Sequence, residues 1–153
     1  GFGRALLAAA CALDGRTGGV CAKKVSGVEI LPMLYHYALE KEAKLRTKWV
    51  GMVPVEFVLG DYRSSEHARS VISDADCVFV FATTWVGRDG VAQELSVALL
   101  EVVRVGTRLV LVDAEGIEEE VCGKRLVMVS RFDGKNEATG ESTVNVYRVV
   151  SAK

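Results

Sequence analysis

Apolar residues recur along this chain in two rhythms, and the alternation between them predicts its elements. Residues 4–13 are apolar almost all round and rich in Ala and Leu, the pattern of a helix buried against a sheet. A short apolar run, 25–30, follows and reads as a buried strand that closes on one acid, Glu29. Pro32 suits a first helical turn. From there Leu31, Leu34, Tyr35, Ala38, Leu39 and Leu45 keep to one helical face as far as about Thr47, with Glu40 and Lys44 spaced as an i,i+4 ion pair. Residues 53–59 form the next strand, and Pro54 and Glu56 suit it to a sheet edge. Gly60-Asp61 breaks it, and Ser64 or Ser65 can cap a short helix to about Ser73, with Ala68, Val71 and Ile72 inward. The continuous apolar run 77–82 has the look of a central strand buried on both faces. A helix over 88–105 is predicted next, ended by Gly106, and then a strand over 109–112 that stops at Asp113.

Beyond Asp113 the rhythm changes. Residues 124–130 and 143–150 are strand-like, with only the turn-rich Asp133-Gly134-Lys135-Asn136 and Thr139-Gly140 between them. That is a hairpin, hence antiparallel. Strands alternating with helices and closed by a hairpin predict an α/β fold: a Rossmann-like three-layer sandwich with a mostly parallel sheet and a C-terminal antiparallel hairpin. A glycine loop such as Gly1-Phe2-Gly3 should follow a buried first strand. The sheet is therefore expected to lack its first, central strand in the sequence given, and the 153 residues to form a single domain that is N-terminally incomplete.

Composition narrows the classes. Half the residues are hydrophobic and a quarter charged, as in an ordinary soluble protein. A formal net charge of −1 gives no electrostatic case for nucleic acid as the main ligand, so the basic cluster Lys41, Lys44, Arg46 and Lys48 is read as a solvated helix end. No charge-free apolar run reaches the length of a membrane span. Cys11, Cys21, Cys77 and Cys122 include no C-x-x-C pair, so zinc has no support. Cys11 and Cys77 read as small buried hydrophobes, and the cysteine usage points to a reducing, intracellular compartment. His36 and His67 read as surface residues, Asp113 and Glu115 as loop carboxylates, and Glu118-Glu119-Glu120 as a solvated turn.

The chemistry concentrates at three places. The glycine loop opening the first helix, followed by a strand closing on Glu29, is how such sheets hold an adenosine ligand: backbone approaches the ligand and the acid takes the ribose hydroxyls. Glu29 stands 26 positions after Gly3, against a usual ~20. The loop Asp14-Gly15-Arg16-Thr17-Gly18-Gly19 accounts for the excess, because loop insertions cost little. A dinucleotide fingerprint wants a third glycine where this chain has Leu6, which counts against NAD. Asp61 follows the next strand in Gly60-Asp61-Tyr62. In methyltransferases of this sheet class an acid there meets the adenine amino group and the neighbouring aromatic covers the ring. Together with the hairpin, this favours S-adenosylmethionine.

In series, Gly1-Phe2-Gly3-Arg4, Ser26-Gly27-Val28-Glu29, Gly60-Asp61-Tyr62-Arg63-Ser64 and Val80-Phe81-Ala82-Thr83-Thr84-Trp85 resemble the catalytic core of the Dot1-type histone lysine methyltransferases, over roughly two-thirds of the chain. The resemblance implies a class I methyltransferase fold that binds S-adenosylmethionine through Gly1, Phe2, Gly3, Glu29, Ile30, Asp61, Tyr62 and Thr83. It implies Thr83, Thr84 and Trp85 at the methyl-transfer centre, a protein substrate such as a histone or nucleosome, no metal and no membrane, and a nuclear location if the histone reading holds. Thr83 and Thr84 stand where that family carries an Asn-Asn pair, Trp85 replaces a Phe, and Arg4 stands where the family often has Gln. A Thr hydroxyl does not reproduce a carboxamide's donor and acceptor. Two alternatives follow: a class I methyltransferase acting on a small molecule or another side chain, and a non-catalytic module that keeps the fold for binding.

Overall fold

The computed structural model describes residues 3–13, 21–81, 86–136 and 140–152. The chain divides into two compact units, 1–71 and 72–153. The first contains α1 (Arg4–Ala12), β1 (Val25–Glu29), α2 (Pro32–Arg46), β2 (Val55–Leu59) and most of α3 (Glu66–Ser73), within which the boundary falls. The second contains β3 (Cys77–Phe81), α4 (Gln93–Val102), β4 (Arg108–Val112) and the hairpin β5 (Lys124–Asn136) and β6 (Gly140–Ser151).

In the first unit β1 and β2 run parallel in unbroken register, Val25 opposite Val55 and Glu29 opposite Leu59. A parallel pair needs a crossover, and α2 supplies it. Pro32 sits in its first turn as expected. Its burial is thinner than the sequence pattern suggests: Ala38 is buried, Leu34, Tyr35 and Leu45 are half-buried, and Leu31 and Leu39 are exposed. The i,i+4 ion pair on α2 is Glu42 with Arg46, not Glu40 with Lys44. α1 is not buried all round either. Leu7 and Ala10 face inward while Ala5, Ala8 and Ala12 lie open, because one pair of strands covers one side of a helix only.

How closely α1 lies on this pair is decided by glycines. A Cβ on Gly27 would stand 2.9 Å from Leu6 Cδ2, so the strand, not the helix, supplies the small residue that lets the two elements meet. Gly3 precedes α1 with φ 63°, in the left-handed region that glycine tolerates, and a Cβ there would stand 2.9 Å from the Phe57 ring and 3.3 Å from Ala38 Cβ. At the far end of α1, Ala10, Met52 and Val53 form a small core, and Val53 N–H donates to the Ala10 carbonyl. α1 therefore runs antiparallel to the strands, with its N-terminus toward their carboxyl ends.

In the second unit the strand order is β3-β4-β6-β5, with β3 and β4 parallel and β6 antiparallel to both β4 and β5. The hairpin is longer than predicted. Asp133-Gly134-Lys135-Asn136 belongs to β5, paired with β6 from Gly140 to Thr143, and a bulge interrupts the register between Met128 and Ser130. The core gathers Leu95, Leu99 and Leu100 of α4, Leu109 and Leu111 of β4, and Val149 of β6, each 2% exposed or less. α4 begins later than its apolar stripe implies. Asp89 Oδ1 accepts the Val91 N–H and Gly90 takes φ 80°, so an Asx turn occupies the predicted first helical turn.

The largest departure is β3. Its alternate residues Cys77, Phe79 and Phe81 are exposed, the two phenylalanines by 52% and 51%, where burial on both faces was expected. β3 has one hydrogen-bonded neighbour, β4, so among the described residues it is an edge strand, and one face of it is uncovered. The same holds for β1, half-buried along its whole length with β2 as its one neighbour. In place of one mixed sheet, the described residues form a two-stranded and a four-stranded sheet. Parallel strand pairs with helical crossovers and an antiparallel C-terminal hairpin are the α/β features that the sequence pattern predicted.

The packing at Gly3 makes a prediction. Gly3→Ala combines a disfavoured left-handed backbone with a clash on Phe57. It should destabilise the protein by about 1–3 kcal/mol, read as a lower midpoint in urea unfolding at unchanged slope.

Candidate functional site

The first unit brings several predicted residues to one end. Parallel register sets Glu29, the last residue of β1, beside Leu59, and Gly60 N–H donates to the Glu29 carbonyl at 2.9 Å. Gly60-Asp61-Tyr62 therefore turns away from the carboxyl end of β2 next to the carboxyl end of β1, the end at which open α/β sheets bind ligands. Gly3 lies toward the same end, against Phe57, two residues before Leu59. Gly1, Phe2, Thr83, Thr84 and Trp85 lie outside the described residues.

Glu29 turns back on its own chain. Oε1 accepts the backbone N–H of Leu31 at 2.9 Å, in the turn that leads into α2. A carboxylate there is also favoured by the positive end of the helix dipole. Oε2 has no partner among the described residues, and the side chain is half-buried at the tip of the strand. Glu29 thus has one oxygen engaged in positioning it and one oxygen to offer. Ile30 beside it is 55% exposed.

Asp61 is more fully engaged. Oδ1 accepts the Arg63 N–H at 2.9 Å, and the Arg63 guanidinium reaches both carboxylate oxygens, at 3.3 and 3.2 Å. The Asp61 carbonyl accepts from Ser64 N and Ser65 N. The residue therefore organises the tight turn between β2 and α3, and Gly60 is needed there because a Cβ would stand 2.9 Å from Ser65 Oγ. Ser65, of the two candidate serines, caps α3, its Oγ accepting the Ala68 N–H. The backbone N–H of Arg63, and then its guanidinium, hold the Asp61 carboxyl below its ordinary range. Tyr62 is half-buried with its hydroxyl oxygen out of solvent. Sequence reading missed the Asp61–Arg63 pair, though an arginine two positions after a turn-forming aspartate was its visible signal.

On β2, Glu56 gathers partners that no motif announced. Lys24 Nζ and Ser26 Oγ donate to Oε2 at 2.8 and 3.1 Å, and His67 Nε2 lies 3.6 Å from Oε1. The Lys24 hydrogen bond is the main reason its carboxyl is held below the usual value. The cluster ties β1, β2 and α3 together across a solvent-facing edge and has the character of an exposed ion pair.

In the second unit, Asp113 is not merely a loop carboxylate. It takes φ 58°, its Oδ1 accepts Thr143 N–H and its Oδ2 accepts Ser142 Oγ–H, which fixes the end of β4 on β6. Asn145 donates to the Ala114 carbonyl and Tyr147 Oη accepts from Gly116 N–H, so residues 113–116 are held along the same strand. Glu118, Glu119 and Glu120 are exposed, as read from the sequence. Cys77 is exposed and not the buried hydrophobe expected, because β3 is an edge strand. Among the described residues no group of His, Cys, Asp and Glu is placed to hold a metal ion, and no helix is long and apolar enough to cross a membrane.

No protein-family model matches the chain, and no curated protein matches it. Among solved structures it is similar to Streptococcus pneumoniae Sp1610, described as a candidate tRNA (m1A22) methyltransferase, at 14% identity and a TM-score of 0.48. The match covers 99% of this chain and 61% of that one, so the chain spans about three-fifths of that protein's length. A likeness of this degree carries nothing about substrate or activity.

The Asp61–Arg63 contact sets an expected titration. A carboxyl whose folded pKa is depressed stabilises the fold above its unfolded pKa, near 4, and that contribution disappears as pH falls through the folded value. The Asp61 side-chain carbon signal in NMR should therefore titrate below the ordinary aspartate range. Arg63→Ala should move its midpoint back up, though not fully, because the backbone N–H donor remains.

Proposed function

We propose that this chain is the cofactor-binding part of an S-adenosylmethionine-dependent methyltransferase of class I type. The observation that carries the reading is the carboxyl end of the β1–β2 pair. There Glu29 presents Oε2 with no partner among the described residues, next to the Gly60-Asp61 turn and toward the glycine-led start of α1. In this reading the Glu29 carboxylate accepts the two ribose hydroxyls, with the Leu31 N–H bond holding it in position. Gly3 serves chiefly to let α1 approach, since packing on Phe57 already demands glycine there. Asp61 reaches an adenine amino group only by sharing oxygens that Arg63 now occupies. When bound, the cofactor supplies an activated methyl group; the protein's part is to align the acceptor and exclude water.

For the acceptor, the resemblance to Dot1-type enzymes suggests a protein lysine. Thr83-Thr84 in place of the amide pair favours a different acceptor, a small molecule or another side chain, and we adopt that reading. The engagement of Asp61 by Arg63 favours one rival of another class, a module that keeps the fold for binding and does no chemistry.

Calorimetry with S-adenosylhomocysteine separates these readings. Binding is expected, and Glu29→Ala should weaken it about 10- to 150-fold, the loss of a charged acceptor's hydrogen bonds. Absence of heat at millimolar ligand would leave only the binding module. Unchanged affinity in the variant would remove Glu29 from the site. With a labelled methyl donor, label in core histones and not in small molecules would restore the lysine acceptor.

A further inference from the structure

The net charge of −1 conceals an uneven distribution. Residues 113–120 carry five carboxylates and no cation, while the second half of α2 and the turn after it carry Lys41, Lys44, Arg46 and Lys48. The helix sorts these cations. At 3.6 residues per turn Tyr37, Lys41, Lys44 and Lys48 fall on one stripe, whereas Arg46 points to the opposite side, where Glu42 pairs with it. Lys48 lies in the turn that closes the helix, its N–H donating to the Leu45 carbonyl. All four stripe residues are exposed, and Lys44 and Lys48 have no ion pair among the described residues. Glu40 flanks the stripe as its one near carboxylate on the helix. Like charges at these i,i+3 and i,i+4 spacings repel one another, so an anion lying along the stripe would be favoured.

Beside the stripe is a cleft of about 380 Å³, lined by Arg4 and Leu7 of α1 and by Tyr37, Lys41 and Leu45 of α2. Its floor is apolar and its rim cationic. Lys41 Nζ stands 4.7 Å from the centre of the Tyr37 ring, a cation–π contact that holds the ring and the charge at one mouth. Evenly spaced cations beside an aromatic ring over an apolar floor match a flexible polyanion that carries planar rings. An acidic peptide can carry aromatic side chains but not a ring beside every charge, as a nucleic-acid strand does, and a lipid surface would ask for a broader apolar face.

We propose that this face of α2, with Arg4 across the cleft, binds single-stranded nucleic acid. The phosphates lie along Lys41, Lys44 and Lys48, and a base is seated against Tyr37 over Leu7 and Leu45. The surface lies wholly within the first unit and is independent of the cofactor reading.

The test is fluorescence anisotropy with a labelled single-stranded oligonucleotide of about 15 nucleotides, across a salt series on the whole chain. Binding should weaken with salt. The triple variant Lys41→Gln, Lys44→Gln, Lys48→Gln should flatten the log–log slope by about 2, at about 0.7 for each phosphate no longer neutralised. Tyr37→Leu should weaken binding about tenfold and leave the slope unchanged, as removal of a stacking partner does. Thermal unfolding of each variant checks the fold, and Lys44→Gln alone, at an exposed and unpaired position, gives a smaller flattening if the triple variant does not fold. No binding at low salt, an unchanged slope in the lysine variants, or a Tyr37→Leu variant that binds as tightly as the parent would each overturn the proposal. Lysine-dependent binding to phosphatidylserine vesicles that exceeds binding to the oligonucleotide would also overturn it, in favour of a membrane surface.

Discussion

The parallel pairing of β1 with β2 is the constraint on which the candidate site depends. Two strands that point the same way must end at the same level, so whatever follows each of them is delivered to one place. Here that places a carboxylate, Glu29, beside a glycine-led turn, Gly60-Asp61, although the two are some thirty positions apart in the chain. Register does the rest. A slip of one residue would move Glu29 from its place beside Leu59 and away from the Gly60-Asp61 turn.

Close packing of α1 is the second requirement, and glycine meets it in an unexpected way. The dinucleotide fingerprint puts its packing glycine on the helix, whereas this chain has Leu6 there and places the space on the strand, at Gly27. The arrangement is equivalent because only the sum of the two side chains must fit between helix and strand. Leu6 therefore says less against a dinucleotide ligand than the motif alone implies. The preference for S-adenosylmethionine rests on the Gly60-Asp61-Tyr62 turn and the terminal hairpin.

The two carboxylates of the site have different standing. Glu29 is positioned by one neutral backbone donor and retains an oxygen for a ligand. Asp61 is held by a charged donor and a backbone donor together, which stabilises its ionised form and occupies both oxygens. The difference follows from their neighbours: Arg63 lies within the same turn as Asp61, and no cation lies at a comparable distance along the chain from Glu29. The same logic of local neighbours separates Arg46, neutralised by Glu42, from Lys44 and Lys48 on the opposite face of α2.

Periodicity and turn chemistry in the sequence placed the ten elements of the described residues, the parallel and antiparallel classes, and the hairpin, because these depend on interactions between near neighbours, though not the late start of α4 or the full length of β5. They also marked Glu29 and Gly60-Asp61 as chain ends at strand tips. Burial was another matter. β3 is apolar throughout yet exposes Phe79 and Phe81, and α1 is apolar throughout yet exposes Ala5, Ala8 and Ala12, since a side chain's affinity for an interior does not reveal which side of it has a neighbour. The start of α4 misled for a different reason, an Asp-Gly turn that outcompetes the helix over its first predicted turn. Only the tertiary structure decided that Gly27 receives Leu6, that Lys24, Ser26 and His67 gather on Glu56, and that Lys41 lies over the Tyr37 ring. Each of these depends on distances between side chains that the order of residues leaves open until the backbone is folded.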